Sequence, residues 1–178
     1  MSNLRGKRAS KSGLYGEETF SALLDMAGFT TVSWKKHDGS TPAAVYQYPV
    51  PHPYRPSEPR AGKNDYMLFT GKAKIYCQVK NQTSSGTCDE KLAFSFDIAR
   101  YALTEQPFDV YALLLFGPWW AENPGIVEWA QRKCVEFEML AGGTRAKTTA
   151  RVLVGPQEIG KWLRSLQVVQ HNCGLFND

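Results

Sequence analysis

Residues near the middle of the chain combine the side chains of a metal-dependent hydrolase. Asp65 precedes a short apolar segment, and Gln78 and Lys80 lie near the end of the next one. Gly71 and Lys72 between the segments predict a turn, so we expect the two segments to pair as a β-hairpin. Side chains alternate along a strand, which places Gln78 and Lys80 on one face. An acid, an amide carbonyl and an ammonium group are therefore expected to meet at one strand end.

This set of groups suits a magnesium ion and a phosphodiester substrate. Mg²⁺ prefers oxygen ligands, which the Asp65 carboxylate, the Gln78 amide and the main-chain carbonyl of Val79 can supply. Such an ion polarises a phosphate and lowers the pKa of water. Lys80 is then expected to orient the attacking water or to stabilise the developing negative charge. The alternative interpretation is a solvated polar face of a hairpin.

The spacing resembles the signature of the PD-(D/E)xK nuclease superfamily. That signature has an acid at the start of one strand and a (D/E)-x-K triplet on the next. Asn64-Asp65 stands where Pro-Asp is usual, and Gln78-Val79-Lys80 stands for the triplet. Gln78 departs from the pattern, because an acid is usual at its position. The missing charge is expected to weaken metal binding or to change the number of ions, and it leaves an inactive copy as an alternative.

The resemblance extends to the first helix. Archaeal Holliday-junction resolvases and related nucleases carry a glycine, a glutamate, an aliphatic pair and a Gly-Phe pair in an order that this chain shares: Gly13, Glu17, Leu23-Leu24 and Gly28-Phe29. The glutamate of those enzymes is a metal-site residue, and Glu17 matches its position. Glu17 also shares a helix face with Phe20 and Leu24. The resemblance therefore implies that Glu17 belongs to the site.

The resemblance implies a fold, an activity and a set of roles. The fold is α/β, a restriction-endonuclease-like core with a mixed β-sheet flanked by helices in the order αβββαβ. The activity is Mg²⁺-dependent endonucleolytic hydrolysis of DNA, with Mn²⁺ as a substitute ion, leaving 5′-phosphate and 3′-hydroxyl ends. The catalytic set is Glu17, Asp65, Gln78 and Lys80, and the metal ligands are Glu17, Asp65, Gln78 and Val79.

Further expectations concern assembly, location and alternative functions. A homo-oligomer, dimer or tetramer, would allow two coordinated cuts. The protein is expected in the cytoplasm, encoded by a prokaryote or a phage. A Holliday-junction or other structure-specific resolvase is the first alternative function. A non-catalytic DNA-binding module with a degenerate site is the second.

Apolar periodicity predicts the remaining elements around a mixed sheet. The first helix is predicted to run to Ala27 and to be followed by a strand over 29–36. The other predicted segments are strands 65–70 and 74–80, a helix that opens at Asp89, strand 110–116, helix 124–140, strand 151–154 and helix 157–166.

Residues 38–63 differ in composition from the rest of the chain. Six prolines in this segment make a regular central strand implausible. Tyrosines and arginines lie among them, which argues against simple disorder. We interpret the segment as an inserted Pro/Tyr-rich arm, in part a β-hairpin, that lies against DNA or against a second subunit.

Positive charge is concentrated at the N-terminus. The net charge is +4, and four basic residues precede the first acid, Glu17. Residues 1–12 are therefore interpreted as a basic arm that precedes a single nuclease domain, residues 13–178, and contacts a polyanion. The predicted DNA-binding residues are Arg5, Lys7, Arg8, Lys11, Arg55, Arg60, Lys63, Gln82 and Lys91.

Several other classes of protein do not fit the chain of 178 residues. No apolar run approaches the length of a membrane helix, and no apolar stretch follows the basic N-terminus as in a secretory signal. None of the four cysteines forms a Cys-x-x-Cys pair, so they are expected to be reduced and to carry no zinc. The chain has no G-x-x-x-x-G-K loop for nucleotide hydrolysis.

Overall fold

The protein is described by a computed structural model. It describes the main chain of residues 3–53, 55–60, 65–84, 90–141 and 148–171. Side chains are described for residues 15–50, 53, 66–84, 91–141 and 148–166.

The described chain forms five α-helices, eight strands and one 3₁₀ turn. In chain order these are α1 (Asn3–Met26), β1 (Thr30–Ser33), the 3₁₀ turn (Trp34–Lys36), β2 (Ala43–Tyr46), β3 (Val50–His52), β4 (Arg55–Arg60), β5 (Asp65–Phe69), β6 (Lys74–Asn81), α2 (Glu90–Glu105), β7 (Val110–Phe116), α3 (Trp119–Glu122), α4 (Pro124–Ala141), β8 (Thr149–Val154) and α5 (Gly155–His171).

Six strands form one mixed sheet in the order β1-β2-β5-β6-β7-β8. β2, β5 and β6 are antiparallel neighbours, whereas β6, β7 and β8 run parallel. Helix α2 supplies the crossover from β6 to β7, and α4 supplies the crossover from β7 to β8. The expected α/β class, a mixed sheet flanked by helices, is confirmed.

Helices cover both faces of the sheet. Apolar residues of α1 and α5 pack on one face, where Phe20 and Leu163 belong to a core with Cys77 and Val79 of β6. Helices α2 and α4 pack on the other face. Because β7 lies between these two cores, its residues are apolar in succession, and six of the seven are buried. This explains why β7 was predicted with the correct bounds.

The prediction that no regular central strand lies within residues 38–63 is wrong. Ala43–Tyr46 forms β2, which pairs with both β1 and β5. The prolines do not interrupt it, because Pro42 directly precedes the strand and Pro49 follows it. Its first three residues, Ala43, Ala44 and Val45, are fully buried. The predicted hairpin within the segment is confirmed, since β3 and β4 form a two-stranded antiparallel sheet.

Other elements differ from their predictions at the ends. The strand expected over 29–36 stops at Ser33, and a 3₁₀ turn follows. Helix α1 begins at Asn3. The main chain of the basic segment therefore forms the first turns of this helix, whereas we expected a separate arm before it. The short helix α3 was not predicted. The predicted helix start at Asp89 lies outside the described residues. No helix in the described part of the chain is long and apolar enough to cross a membrane.

Gly117 ends β7 at a place where a side chain has no room. Its φ is +100°, and an added Cβ would overlap the main-chain carbonyl oxygen of Gln82. We expect Gly117→Ala to lower the free energy of unfolding by about 2–4 kcal/mol, because both the backbone angle and the neighbouring strand must shift. Urea unfolding measures this.

Gly125→Ala is the matched control, since a Cβ there meets no atom within 4 Å. It should leave stability unchanged or raise it by up to about 1 kcal/mol. Equal stabilities of the two variants would contradict the close approach of Gly117 to Gln82.

Candidate functional site

The candidate site lies where β6 runs past the beginning of β5. Asp65, the first residue of β5, is paired with Gln78. Beyond this pair, the pairing of β6 with β7 continues to Asn81 opposite Phe116. Lys80 therefore lies on a part of β6 that extends past the first residue of β5. The register places Asp65, Gln78 and Lys80 at one strand end, as the sequence pattern predicts.

Main-chain groups at this end point in alternating directions. The amide of Gln82 donates a hydrogen bond to the carbonyl of Phe116 in β7, at 2.9 Å. Neighbouring residues of a strand direct their N–H and C=O groups to opposite sides. The carbonyl of Val79 therefore faces the β5 side, beyond the pair that Asp65 forms. This direction is compatible with the predicted role of Val79 as a main-chain ligand.

Gln78 is held by two tyrosines. Its side chain is 2% exposed. The Tyr111 hydroxyl donates to Gln78 Oε1 at 2.9 Å, and Gln78 Nε2 donates to the Tyr76 hydroxyl at 2.9 Å. An amide suits this position because it can accept from one phenol and donate to the other. One lone pair of Oε1 is not used by Tyr111 and is the group that can approach a cation.

Residues of β6 on the opposite face form part of the core. Cys77 and Val79 are buried among apolar side chains from α1 and α5. Burial raises the pKa of the Cys77 thiol, which stays protonated at neutral pH and is a poor nucleophile. Cys77 therefore serves core packing. Lys80, in contrast, is half-buried on the face that Gln78 shares.

Helix α1 crosses β6 at the same end. A Cβ added to Gly16 would lie 2.7 Å from Cβ of Asn81, so the absence of a side chain lets the helix approach the strand closely. Glu17 follows directly and is half-buried. The pKa of Tyr66, the second residue of β5, is raised to about 12 by burial and then by the nearby Glu17 carboxylate. Glu17 thus comes close to the start of β5, from the α1 side of the sheet.

The donors at this end are chemically suited to a hard cation. They are the carbonyl oxygens of Gln78 and Val79, to which the predicted site adds the carboxylate of Asp65. The Glu17 carboxylate approaches this end from the α1 face of the sheet, opposite to the face that carries the Gln78 side chain. All are oxygen ligands of the kind that Mg²⁺ binds. Among the described side chains, no three His, Cys, Asp or Glu residues form a metal-binding group. The side chain of Asp65 lies outside that description.

The predicted DNA-binding residues lie in several places. Gln82 is buried directly after β6, and Lys91 is exposed in the first turn of α2. The four basic residues near the N-terminus have their main chain in α1, and Arg55 and Arg60 have theirs in β4. Lys63 lies outside the described residues. Trp120 is fully buried, and its indole N–H donates to the carbonyl of Phe116, so that its ring serves packing rather than stacking on bases.

Tyr111 is the neighbour of Gln78 that sequence reasoning missed. It lies inside the apolar run of β7, which offers no sign of a polar contact. Its register opposite Tyr76 arises from the parallel β6–β7 pairing across the α2 crossover. A tyrosine in an otherwise apolar buried strand is a signal that its hydroxyl needs a partner.

A shallow groove lies elsewhere on the surface. It has a volume of about 470 Å³ and is bordered by α2 and α4, with Arg100, Tyr101 and Phe137 among its lining residues. It shares no residue with the strand-end site, so we do not assign it to the same chemistry.

No protein-family model, curated protein or solved structure matches the chain. The functional argument therefore depends on the residues and geometry described above.

Proposed function

We propose that the protein is a Mg²⁺-dependent endodeoxyribonuclease with a restriction-endonuclease-like core. The observation that carries the proposal is the pairing of Asp65 with Gln78, with β6 continuing past β5 to Lys80. In the proposal, the scissile phosphate binds between the Asp65 carboxylate and the Lys80 ammonium group. Between α1 and α2 the main sheet has four strands, β1, β2, β5 and β6, one more than in the αβββαβ order of the nucleases that the sequence resembles.

In this proposal, Glu17, Asp65, Gln78 and the Val79 carbonyl hold the ion. A bound Mg²⁺ polarises the phosphate and promotes formation of the attacking hydroxide. Lys80 contributes an ammonium group that balances the negative charge developing on phosphorus oxygens. Tyr111 and Tyr76 keep the Gln78 amide in one orientation, so that its oxygen is already placed before substrate binds. The proposal requires the Glu17 carboxylate to reach the ion around the end of the strand from α1, which Gly16 allows to pack closely on β6.

Cleavage of DNA tests the proposal directly. We expect the protein to nick and then linearise supercoiled plasmid in Mg²⁺ or Mn²⁺, and to be inactive in EDTA. Linear duplexes and a four-way junction built from the same arms should be compared at equal concentration. Preferential cutting of the junction would assign a resolvase activity. Absence of cleavage on every substrate with both ions would contradict the proposed hydrolysis.

A non-catalytic DNA-binding module is the second candidate, and the environment of Gln78 favours it. Both polar atoms of that amide already have partners inside the protein. A structural role between two tyrosines would explain why the acid of the nuclease signature is missing. DNA binding without cleavage, with equal affinity in Mg²⁺ and EDTA, would support this candidate.

A further inference from the structure

The 3₁₀ turn after β1 lies at the same edge of the sheet as the strand-end site. Ser33, the last residue of β1, is paired with Tyr46 of β2, and Tyr46 is paired with Tyr66 of β5. Tyr66 directly follows Asp65, so this row of residues crosses the sheet next to the site. The 3₁₀ turn directly follows Ser33 and therefore continues that edge beyond β5 and β2.

The three side chains of this turn face solvent. Trp34 is 45% exposed, and Lys35 and Lys36 are exposed as well. Neither ammonium group forms an ion pair with a residue that the structure describes. The nearest acid along the chain, Asp38, accepts a hydrogen bond from the main-chain amide of Ser40 at 3.0 Å. The turn therefore presents an indole ring and two positive charges that suit a partner of negative charge.

The spacing of the strands relates the turn to the site in terms of DNA length. β1 and β6 are separated by β2 and β5, which amounts to three strand spacings, or about 14 Å. B-DNA advances about 3.4 Å per base pair along its axis. A duplex that lies along this edge with its scissile phosphate near Lys80 therefore passes the turn about four base pairs away.

We infer that the 3₁₀ turn is a DNA-binding surface, which holds the backbone of duplex DNA about four base pairs from the bond that is cut. Lys35 and Lys36 neutralise phosphates, and the ring of Trp34 packs against the adjoining deoxyribose. None of these three residues is among the predicted DNA-binding residues. The inference rests on the nuclease function proposed above. Contacts of this kind position the duplex and read no base sequence.

Tryptophan fluorescence tests the contact without requiring cleavage. Trp34 is exposed and Trp129 is half-buried, whereas the other three tryptophans are buried: Trp119, Trp120 and Trp162. Quenching by acrylamide therefore reports mainly on Trp34. Saturating duplex DNA in EDTA should lower the quenching of the wild-type protein to that of free Trp34→Phe, and DNA should leave the quenching of Trp34→Phe unchanged. Unchanged quenching of the wild-type protein, with DNA binding verified by fluorescence anisotropy, would overturn the inference.

The salt dependence of DNA binding tests the two lysines. Replacing both with glutamine, Lys35→Gln with Lys36→Gln, should lower the slope of log affinity against log salt by about 1.8, since each lost phosphate contact removes about 0.9. Between about 50 and 200 mM salt, the affinity of this double variant should therefore fall about 10-fold less than that of the wild-type protein. Its KM for DNA cleavage should rise, with kcat unchanged.

The matched control is the double variant Lys161→Gln with Arg164→Gln, which removes two exposed positive charges from α5. It should keep the wild-type slope. Equal slopes of the two double variants, in a protein that cleaves DNA, would overturn this inference alone. A protein that binds DNA with the expected slopes but does not cleave it would contradict the proposed hydrolysis and not this surface. A wild-type protein that binds no DNA would overturn both.

Discussion

Replacing Asp65 or Lys80 with alanine is expected to reduce DNA cleavage by about 100-fold or more while the protein remains folded. Each residue supplies a charge at the end where β6 extends past β5, and neither belongs to the described apolar cores. Initial rates of plasmid nicking in Mg²⁺, measured together with thermal melting, give both quantities. The loss should be greater in activity than in stability, because in the proposed mechanism these charges act on the phosphate.

Asp97→Ala and Lys161→Ala are the controls for these variants. Both residues are exposed, on α2 and α5 respectively, and neither is a predicted site residue. They remove the same charges and should cleave like wild type. Nicking at the wild-type rate by a folded Asp65→Ala or Lys80→Ala protein would remove that residue from the site.

Gln78→Glu is expected to make the stability of the protein depend on Mg²⁺. The new carboxylate lies in a buried position where the Tyr111 hydroxyl can still donate to it, but where the bond from Nε2 to Tyr76 is lost. Without metal, we expect the free energy of unfolding to fall by about 1–3 kcal/mol. A cation that binds the folded protein restores stability through mass action. Urea unfolding in EDTA and in Mg²⁺ measures the difference, and cleavage should be preserved or altered in its metal preference.

Gln78→Met distinguishes a role of Gln78 in metal binding from a role in packing. It fills a similar volume but leaves the Tyr111 hydroxyl without its acceptor, so it should lose a comparable amount of stability. Added Mg²⁺ should not restore that loss, and cleavage should fall. If Gln78→Glu unfolds identically in EDTA and Mg²⁺ while Gln78→Met cleaves normally, Gln78 does not contact the ion.

Much of the fold could be predicted because local signals agreed with tertiary structure. The β5–β6 hairpin follows from the Gly71 turn and from alternation on both sides of it. In α2, Leu92, Phe96 and Ala99 recur at helical spacing and are all buried. β2 was missed because a strand of only four residues, between Pro42 and Pro49, is too short to show an alternating pattern. Its burial results from β1 and β5 on either side, which only the assembled sheet provides.

The site was predictable in part for the same reason. Asp65 and Gln78 are related by hairpin register, which a turn specifies over a short distance. The extension of β6 past β5 depends on where strand pairing ends, and the Tyr111 contact depends on a parallel register across α2. Neither is encoded in a local pattern. The burial of Gln82 depends on packing against its side of the sheet, which its sequence neighbours did not indicate.

Helices α1 and α5 pack together on one face of the sheet, and this contact affects when the protein becomes complete during synthesis. Leu23 of α1 lies close to Gly160 of α5, and Phe20 and Leu24 share a core with Ile159 and Leu163. α5 follows every strand that the structure describes, so a ribosome-bound chain exposes the part of α1 that packs on α5 until α5 has emerged. The helix that carries Glu17 therefore reaches its final position late. If the protein is the nuclease proposed above, a growing chain does not yet cut the DNA of the cell that produces it.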